Sequence, residues 1–110
     1  MKVSELAEKT GLKALNEASS DKEIEGVYIS DMVSDIITGA KANGVLVTLQ
    51  THKSLIAAAN LADVAAVVFV RGRRPGDDVI ELARKAGIGL YLTDADTWTF
   101  ATRMYELGVR

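Results

Sequence analysis

The segment from Ala65 to Val70 reads AAVVFV and is apolar at every position. A strand with one face in water alternates apolar and polar residues, so an unbroken apolar run predicts a strand that is covered on both faces. Strands of this kind lie inside parallel sheets that carry helices on either side. This one segment therefore favours an α/β fold and argues against an open antiparallel sheet.

Short apolar runs alternate with segments of helical period along the rest of the chain. The predicted strands cover residues 12–15, 26–29, 45–49, 65–70 and 88–92, and the predicted helices begin near Val3, Met32, Lys53, Asp77 and Asp96. Strands that alternate with helices are typical of βαβ units and a parallel sheet. We predict a three-layer α/β/α sandwich with a mostly parallel sheet of four or five strands, whose order a single sequence leaves open. The last helix is expected to turn Trp98, Ala101, Met104 and Tyr105 inward, although Trp98 and Tyr105 could instead belong to a dimer surface.

The length and composition exclude several classes of protein. The chain has 110 residues, the common size of one domain, here residues 1–110. It has no cysteine, which excludes a disulfide framework, a thiolate zinc site and a cysteine nucleophile. A formal net charge of −2 gives no general attraction to nucleic acid, so any anion site must be local.

The start of the chain has no apolar segment typical of a signal peptide, and no run approaches the roughly 20 residues that cross a bilayer. We expect a cytoplasmic protein with no nucleic-acid or membrane partner.

Polar residues follow each predicted parallel strand. Ligands of open parallel sheets bind outside the carboxyl ends of the strands, where loops and helix N-termini meet. The candidate ligand-binding residues are Ser30, Asp31, Thr51, His52, Lys53, Arg71, Gly72, Arg73, Arg74, Thr93 and Asp94. The three arginines beside a helix N-terminus suit a phosphate or a carboxylate. Alternatively, they keep the loop soluble and pair with Asp77 and Asp78.

The catalytic signals are weaker. His52 is the only histidine, which excludes a metal site built from several histidines. It either exchanges a proton with Asp31 or Asp94, or is merely exposed or capping at the start of a helix. Asp94 and Asp96 could bind magnesium, but helix capping accounts for both equally well. The chain contains no phosphate-binding GxxxxGK[ST] loop, no GxGxxG and no GxSxG motif. We assign no catalytic residue, no metal site and no cofactor.

From Gly26 onward the sequence resembles the DRTGG domain family, which is related to the N-terminal domain of HPr kinase/phosphorylase. The resemblance rests on SDMVSD at Ser30–Asp35, VTLQTH at Val47–His52 and VFVRGRRP at Val68–Pro75. The segment SELAEKTGLKAL at Ser4–Leu15 is also similar to the amino-terminal part of these proteins. The resemblance therefore covers nearly the whole chain.

This chain departs from the two motifs that give the family its name. Thr51, His52 and Lys53 stand where the family has an Asp-Arg pair, and Arg71, Gly72 and Arg73 stand where it has Thr-Gly-Gly. Only Gly72 is retained. The arginines that replace its neighbours could serve an anion in a different way.

The resemblance implies a regulatory role. Similar domains accompany nucleotide-sensing CBS pairs and phosphotransacetylases, and similar proteins are dimeric. The kinase activity of the bifunctional enzyme belongs to a separate phosphate-loop domain. We therefore expect a non-catalytic regulatory homodimer that binds a small anionic ligand, such as a nucleotide or phosphorylated metabolite, or that docks a partner protein. The alternatives are a purely structural dimerisation or interaction domain and a small acid–base enzyme that uses His52.

Overall fold

The computed structural model describes residues 1–110 and contains one five-stranded sheet with five helices. The strands are β1 Lys13–Asn16, β2 Val27–Ile29, β3 Val45–Thr48, β4 Ala66–Phe69 and β5 Gly89–Leu92, and the helices are α1 Val3–Thr10, α2 Val33–Gly39, α3 Lys53–Leu61, α4 Asp77–Lys85 and α5 Thr97–Glu106. Every predicted helix and strand is present, with boundaries that differ by only a few residues. None of the helices has both the length and the apolar character needed to span a membrane.

The strand order is β1-β5-β4-β3-β2. Strands β2 to β5 are parallel to one another, while β1 pairs with β5 in the antiparallel direction. The predicted mostly parallel sheet is therefore confirmed. Every residue of β4 is buried, as its apolar run predicts. Because β1 runs the opposite way, its first residue, Lys13, pairs with Leu92 at the carboxyl end of β5.

Helices cover both faces of the sheet. Helices α2, α3 and α4 pack on one face through buried residues such as Ile36, Leu55 and Val79. Helices α1 and α5 pack on the other face, where Leu6 and Phe100 are buried. The molecule is thus a three-layer α/β/α sandwich, and the loops that leave the strands are free to form a site at the edge of the sheet.

Helix α5 presents a different face to the sheet from the one predicted. Phe100 and Met104 are buried, with exposed fractions of 0% and 1%, whereas Trp98 and Tyr105 are 76% and 60% exposed. The prediction that Trp98 and Tyr105 point inward is wrong. Asp96 caps α5 by accepting a hydrogen bond from the Thr99 N–H, so the helix begins at Thr97. In the orientation that α5 adopts, the Phe100–Met104 stripe faces the sheet.

Candidate functional site

The predicted ligand-binding residues all lie at one edge of the sheet, which we call the carboxyl rim. They follow strands β2, β3, β4 and β5 directly. Backbone hydrogen bonds continue just beyond the strand ends, from Val70 N to Thr48 O and from Thr93 N to Phe69 O. These bonds hold neighbouring parts of the rim side by side. The predicted residues make different contacts at the two ends of the rim.

At the β2 end, Asp31 joins two strands. Its Oδ1 accepts hydrogen bonds from Thr48 Oγ1 at 2.9 Å and from Leu49 N at 2.7 Å. Thr48 is the last residue of β3 and is only 2% exposed. Ser30 supports the same turn, because its Oγ accepts a hydrogen bond from Met32 N at 3.2 Å. Asp31 is therefore engaged within the protein.

His52 caps helix α3. Its Nδ1 accepts a hydrogen bond from Ser54 N at 3.2 Å and lies 3.1 Å from Ser54 Oγ. Because Nδ1 accepts this hydrogen bond, a neutral imidazole ring carries its proton on Nε2. The hydrogen bonds of the ring involve no carboxylate, so the acid–base pairing with Asp31 or Asp94 is not formed. This is the capping role that the sequence analysis gave as the alternative.

Two of the four cations of the rim are held by the first turn of α4. Arg74 contacts Asp77 at 3.1 Å and also donates to the carbonyl oxygen of Pro75 at 3.2 Å. Lys53 lies 3.5 Å from the carboxylate of Asp78. Arg74 therefore pairs with an aspartate, as the alternative for the loop arginines predicted. The charges of Arg74 and Lys53 are partly neutralised by these contacts.

Arg71 and Arg73 are different, because both are exposed and neither makes an ion pair. They belong to the turn Val70–Arg73, which we call the arginine turn and which is closed by a hydrogen bond from Arg73 N to Val70 O at 3.2 Å. Arg71 and Gly72 both have positive φ angles, 59° and 65°, which matches a type I′ turn. A side chain in this conformation costs about 1 kcal/mol, so Arg71 occupies a position that favours asparagine or glycine.

The arginine turn is fastened to the loop that follows β5. Arg71 N donates to Ala95 O at 2.9 Å, and Gly72 N donates to Thr93 O at 2.8 Å. The backbone N–H of Thr99 lowers the pKa of Asp96, and the nearby charge of Arg71 lowers it further. The backbone of the arginine turn is thus held to this loop at Arg71 and Gly72, and the turn carries the exposed side chains of Arg71 and Arg73.

The largest cavity of the molecule adjoins this loop on its other side. It is an open cleft of about 490 Å³ between the β1–β5 pair and helices α1 and α5, and we call it the β5 cleft. Its lining includes Thr10, Lys13, Thr93, Asp94, Thr99 and Arg103. Thr93 is 9% exposed, and its Oγ1 accepts a hydrogen bond from Ala95 N at 3.2 Å.

Sequence reasoning found Thr93 and Asp94 but missed the two cations of the cleft. Lys13 and Arg103 take part in none of the four ion pairs. Lys13 reaches the rim only because β1 is antiparallel, which the sequence did not indicate. Arg103 lies four residues after Thr99, on the same flank of α5, and helical spacing from Thr99 could have suggested it.

The arrangement can bind an oxyanion. It offers two unpaired guanidinium groups on the arginine turn and two further cations in the neighbouring cleft. No three histidine, aspartate or glutamate side chains lie together as metal ligands do. Asp94 also lines the β5 cleft, so its carboxylate offsets part of the attraction for an anion.

Comparison with known proteins places the chain. Residues 5–107 match the model of the DRTGG domain. The chain belongs to the DRTGG domain family. The predicted resemblance is confirmed.

A solved structure has the same fold as this DRTGG domain. It is the crystal structure of the CBS and DRTGG domains of the regulatory region of Clostridium perfringens pyrophosphatase, complexed with its activator diadenosine tetraphosphate. The TM-score is 0.79 with 18% sequence identity, over 94% of this chain and 45% of that chain. This chain therefore spans less than half of that structure. No curated protein matches the sequence.

The retained Gly72 has a structural reason in this DRTGG domain. Its φ of 65° favours glycine, and a Cβ at this position would lie 3.0 Å from Asp94 Oδ1. Any other residue here would adopt a strained backbone conformation and would crowd the side chain of Asp94. The residues on either side of Gly72 are both arginine.

Proposed function

We propose that residues 1–110 form a non-catalytic regulatory domain that binds a small phosphorylated anion, a nucleotide or another phosphorylated metabolite, at the β5 end of the carboxyl rim. The observation that carries this proposal is the arginine turn. Arg71 and Arg73 are exposed and lack ion pairs, and the turn that carries them is hydrogen-bonded to the loop after β5 through Arg71 N and Gly72 N. Arginine forks bind phosphate oxygens in pairs, and here no carboxylate of the protein occupies them.

The expected affinity suits a sensor. A charge-assisted hydrogen bond contributes about 1.5–3 kcal/mol, so three or four give roughly 5–10 kcal/mol before the cost of association. The resulting dissociation constant lies in the micromolar to millimolar range. The β5 cleft, with a volume of about 490 Å³, offers room for the rest of the ligand, and Lys13 and Arg103 add positive charge there.

The similar structure supports including nucleotides among the candidate ligands. The regulatory region of the Clostridium perfringens pyrophosphatase contains a DRTGG domain and is complexed with a nucleotide activator. A domain of this family therefore occurs in a region that responds to a phosphorylated ligand. The docking of a partner protein at the same rim is the alternative for this chain.

Thermal unfolding with a ligand panel tests the proposal. The panel contains AMP, ATP, diadenosine tetraphosphate and hexose phosphates. A ligand at ten times its dissociation constant adds about 1.4 kcal/mol, which raises the melting temperature by about 6 °C for a chain of this size. Arg71→Ala and Arg73→Ala should abolish the rise, and Arg71→Ala keeps a Cβ at the strained position. The control Lys85→Ala removes an unpaired charge in the last turn of α4 and should leave the rise intact.

Two results contradict the proposal. One is a panel in which no compound changes the melting temperature of the wild-type protein. The other is a rise that Lys85→Ala removes as effectively as the arginine variants do, which would indicate general charge attraction.

We also propose that the domain is a homodimer. The support is helix α5, which leaves Trp98 and Tyr105 largely exposed. Large exposed aromatic side chains are typical of surfaces that contact another protein. Light scattering at several concentrations tests this part independently of any ligand.

A further inference from the structure

Helix α5 carries an apolar stripe that no other helix or strand of the domain covers. This outer stripe consists of Trp98, Ala101, Thr102 and Tyr105, which alone line an open groove of about 380 Å³. Trp98 is 76% and Tyr105 is 60% exposed. No charged residue lines the groove, although the Arg110 guanidinium lies 4.0 Å from the centre of the Tyr105 ring.

We propose that the outer stripe packs against the same stripe of a second copy of this chain, helix against helix across a twofold axis. The proposal rests on the homodimer part of the proposed function and adds the surface and the pairing of residues. In an antiparallel crossing centred on Ala101 and Thr102, Trp98 lies beside Tyr105 of the partner subunit. Each contact between two residues of the interface then occurs twice, as a twofold axis requires.

The order of residue sizes along the stripe favours this occupant. Positions i, i+3, i+4 and i+7 form one face of a helix and are the spacing of helix–helix seams. The two aromatic side chains stand at the ends, and the small Ala101 and Thr102 stand between them. Two such stripes are self-complementary when antiparallel, because the helices approach at the small residues and the aromatic side chains fill the space on either side.

The available area also suits a second copy. Large aromatic side chains can bury about 150–250 Å² each, so the exposed parts of Trp98 and Tyr105 supply roughly 300 Å² per copy and about 600 Å² across the twofold axis. Specific dimers bury about 1,200 Å² or more in total. The two aromatic side chains of each copy thus provide about half of that area as a central cluster, and residues beside the stripe and after the end of α5 would have to provide the rest.

The other exposed large apolar side chains line none of the cavities: they are Ile29, Met32, Ile37, Leu61 and Leu82. Leu61 is 73% exposed and Leu82 is 41% exposed, but they lie on α3 and α4, the helices that cover the opposite face of the sheet. Isolated exposed apolar residues are common on protein surfaces. Leu61 therefore serves as a matched control for the outer stripe.

The single tryptophan of the chain makes the interface directly observable. Trp98 is the only tryptophan, so its fluorescence reports the solvent exposure of the outer stripe alone. Sedimentation and tryptophan emission are measured together from 0.1 µM to 1 mM protein. We expect a dimer at high concentration and a shift of the emission to longer wavelength as dilution releases the monomer.

Two variants and one control complete the experiment. Ala101→Glu places a charge at the crossing point and should weaken dimerisation at least 100-fold. Tyr105→Ala removes an aromatic ring without adding charge and should weaken it at least tenfold. The control Leu61→Glu adds the same charge on α3 and should leave the dimer unchanged. Circular dichroism verifies that each variant is folded.

The outcomes separate this inference from the proposed function. A wild-type protein that is monomeric at every concentration overturns both this surface and the homodimer. A dimer that persists in folded Ala101→Glu, with Trp98 emission typical of exposed tryptophan, overturns the surface and leaves the homodimer in place. Neither result affects ligand binding at the arginine turn, which the phosphorylated panel measures separately.

Discussion

Replacing Asp31 tests whether a residue predicted to bind ligand is instead part of the framework of the rim. Its Oδ1 alone accepts the hydrogen bonds of Thr48 Oγ1 and Leu49 N. Asp31→Ala removes both hydrogen bonds at once. The Thr48 hydroxyl is the more sensitive partner, because Thr48 is 2% exposed and water cannot readily replace the lost acceptor.

The expected loss of stability follows from these two bonds. A hydrogen bond to a charged group contributes about 1.5–3 kcal/mol, but Asp31 itself is exposed, and water can partly satisfy Leu49 N after the substitution. We therefore expect Asp31→Ala to lower the free energy of unfolding by about 2 kcal/mol in total. For a chain of this size that is a decrease of about 8 °C in melting temperature.

Two further variants make the interpretation specific. Asp31→Asn can keep the same accepting oxygen, so it loses only the contribution of the charge and should cost less than half as much as Asp31→Ala. Asp94→Ala removes an exposed carboxylate that makes no hydrogen bond or ion pair, and should change the stability by less than about 0.5 kcal/mol. Urea and thermal unfolding without ligand measure all three variants. The reasoning is wrong if Asp31→Ala is neutral, or if Asp31→Asn destabilises the protein as much as Asp31→Ala does.

Three other substitutions test local geometry. The Tyr28 hydroxyl donates to Asp35 at 2.9 Å, which raises the pKa of Tyr28 above 10, so Asp35→Asn should return this pKa towards its ordinary value in an NMR titration of the ring. The raised pKa favours the protonated hydroxyl in the folded state. The hydrogen bond therefore contributes to stability below pH 10, and this contribution is lost as the pH rises through the folded-state pKa of Tyr28. A titration of Tyr28 that is unchanged in Asp35→Asn contradicts the hydrogen bond. Gly39→Ala places a methyl group against the Tyr28 hydroxyl and should lower stability by about 1 kcal/mol, whereas an increase in melting temperature would show that the ring moves without cost. Ser19→Ala removes a buried acceptor 3.0 Å from Gly89 N and should cost about 1 kcal/mol in urea unfolding, because that N–H retains a backbone acceptor.

The fold could be predicted because its signals are local. The apolar run Ala65–Val70 identifies a strand that is buried on both faces, and the alternation of strands and helices implies parallel neighbours. The direction of β1 could not be predicted, because the sequence of a short strand next to a helix does not indicate which strand it pairs with. Its pairing with β5 depends on contacts between residues that are nearly 80 positions apart, such as Lys13 and Leu92.

The position of the candidate site could be predicted, but the roles of its members could not. Strand ends in a parallel sheet determine where polar loops gather. Whether a carboxylate there is free or bonded depends on distances of about 3 Å between side chains, as the different environments of Asp31 and Asp94 illustrate. The same holds for the arginines, because Arg74 reaches Asp77 while Arg71 does not pair.

The orientation of α5 was predicted wrongly for a physical reason that lies in its sequence. Consecutive helical residues differ by about 100°, so Phe100 and Met104 form one apolar stripe and Trp98 and Tyr105 form another, roughly 130° away. A helix in the outer layer of a sheet buries one stripe about 100° wide. Counting apolar residues cannot decide which stripe that is, since both have helical spacing. A helix with two apolar stripes nevertheless needs two covering surfaces, and the sheet provides only one. The exposed stripe of Trp98 and Tyr105 is the surface that the proposed dimer would cover.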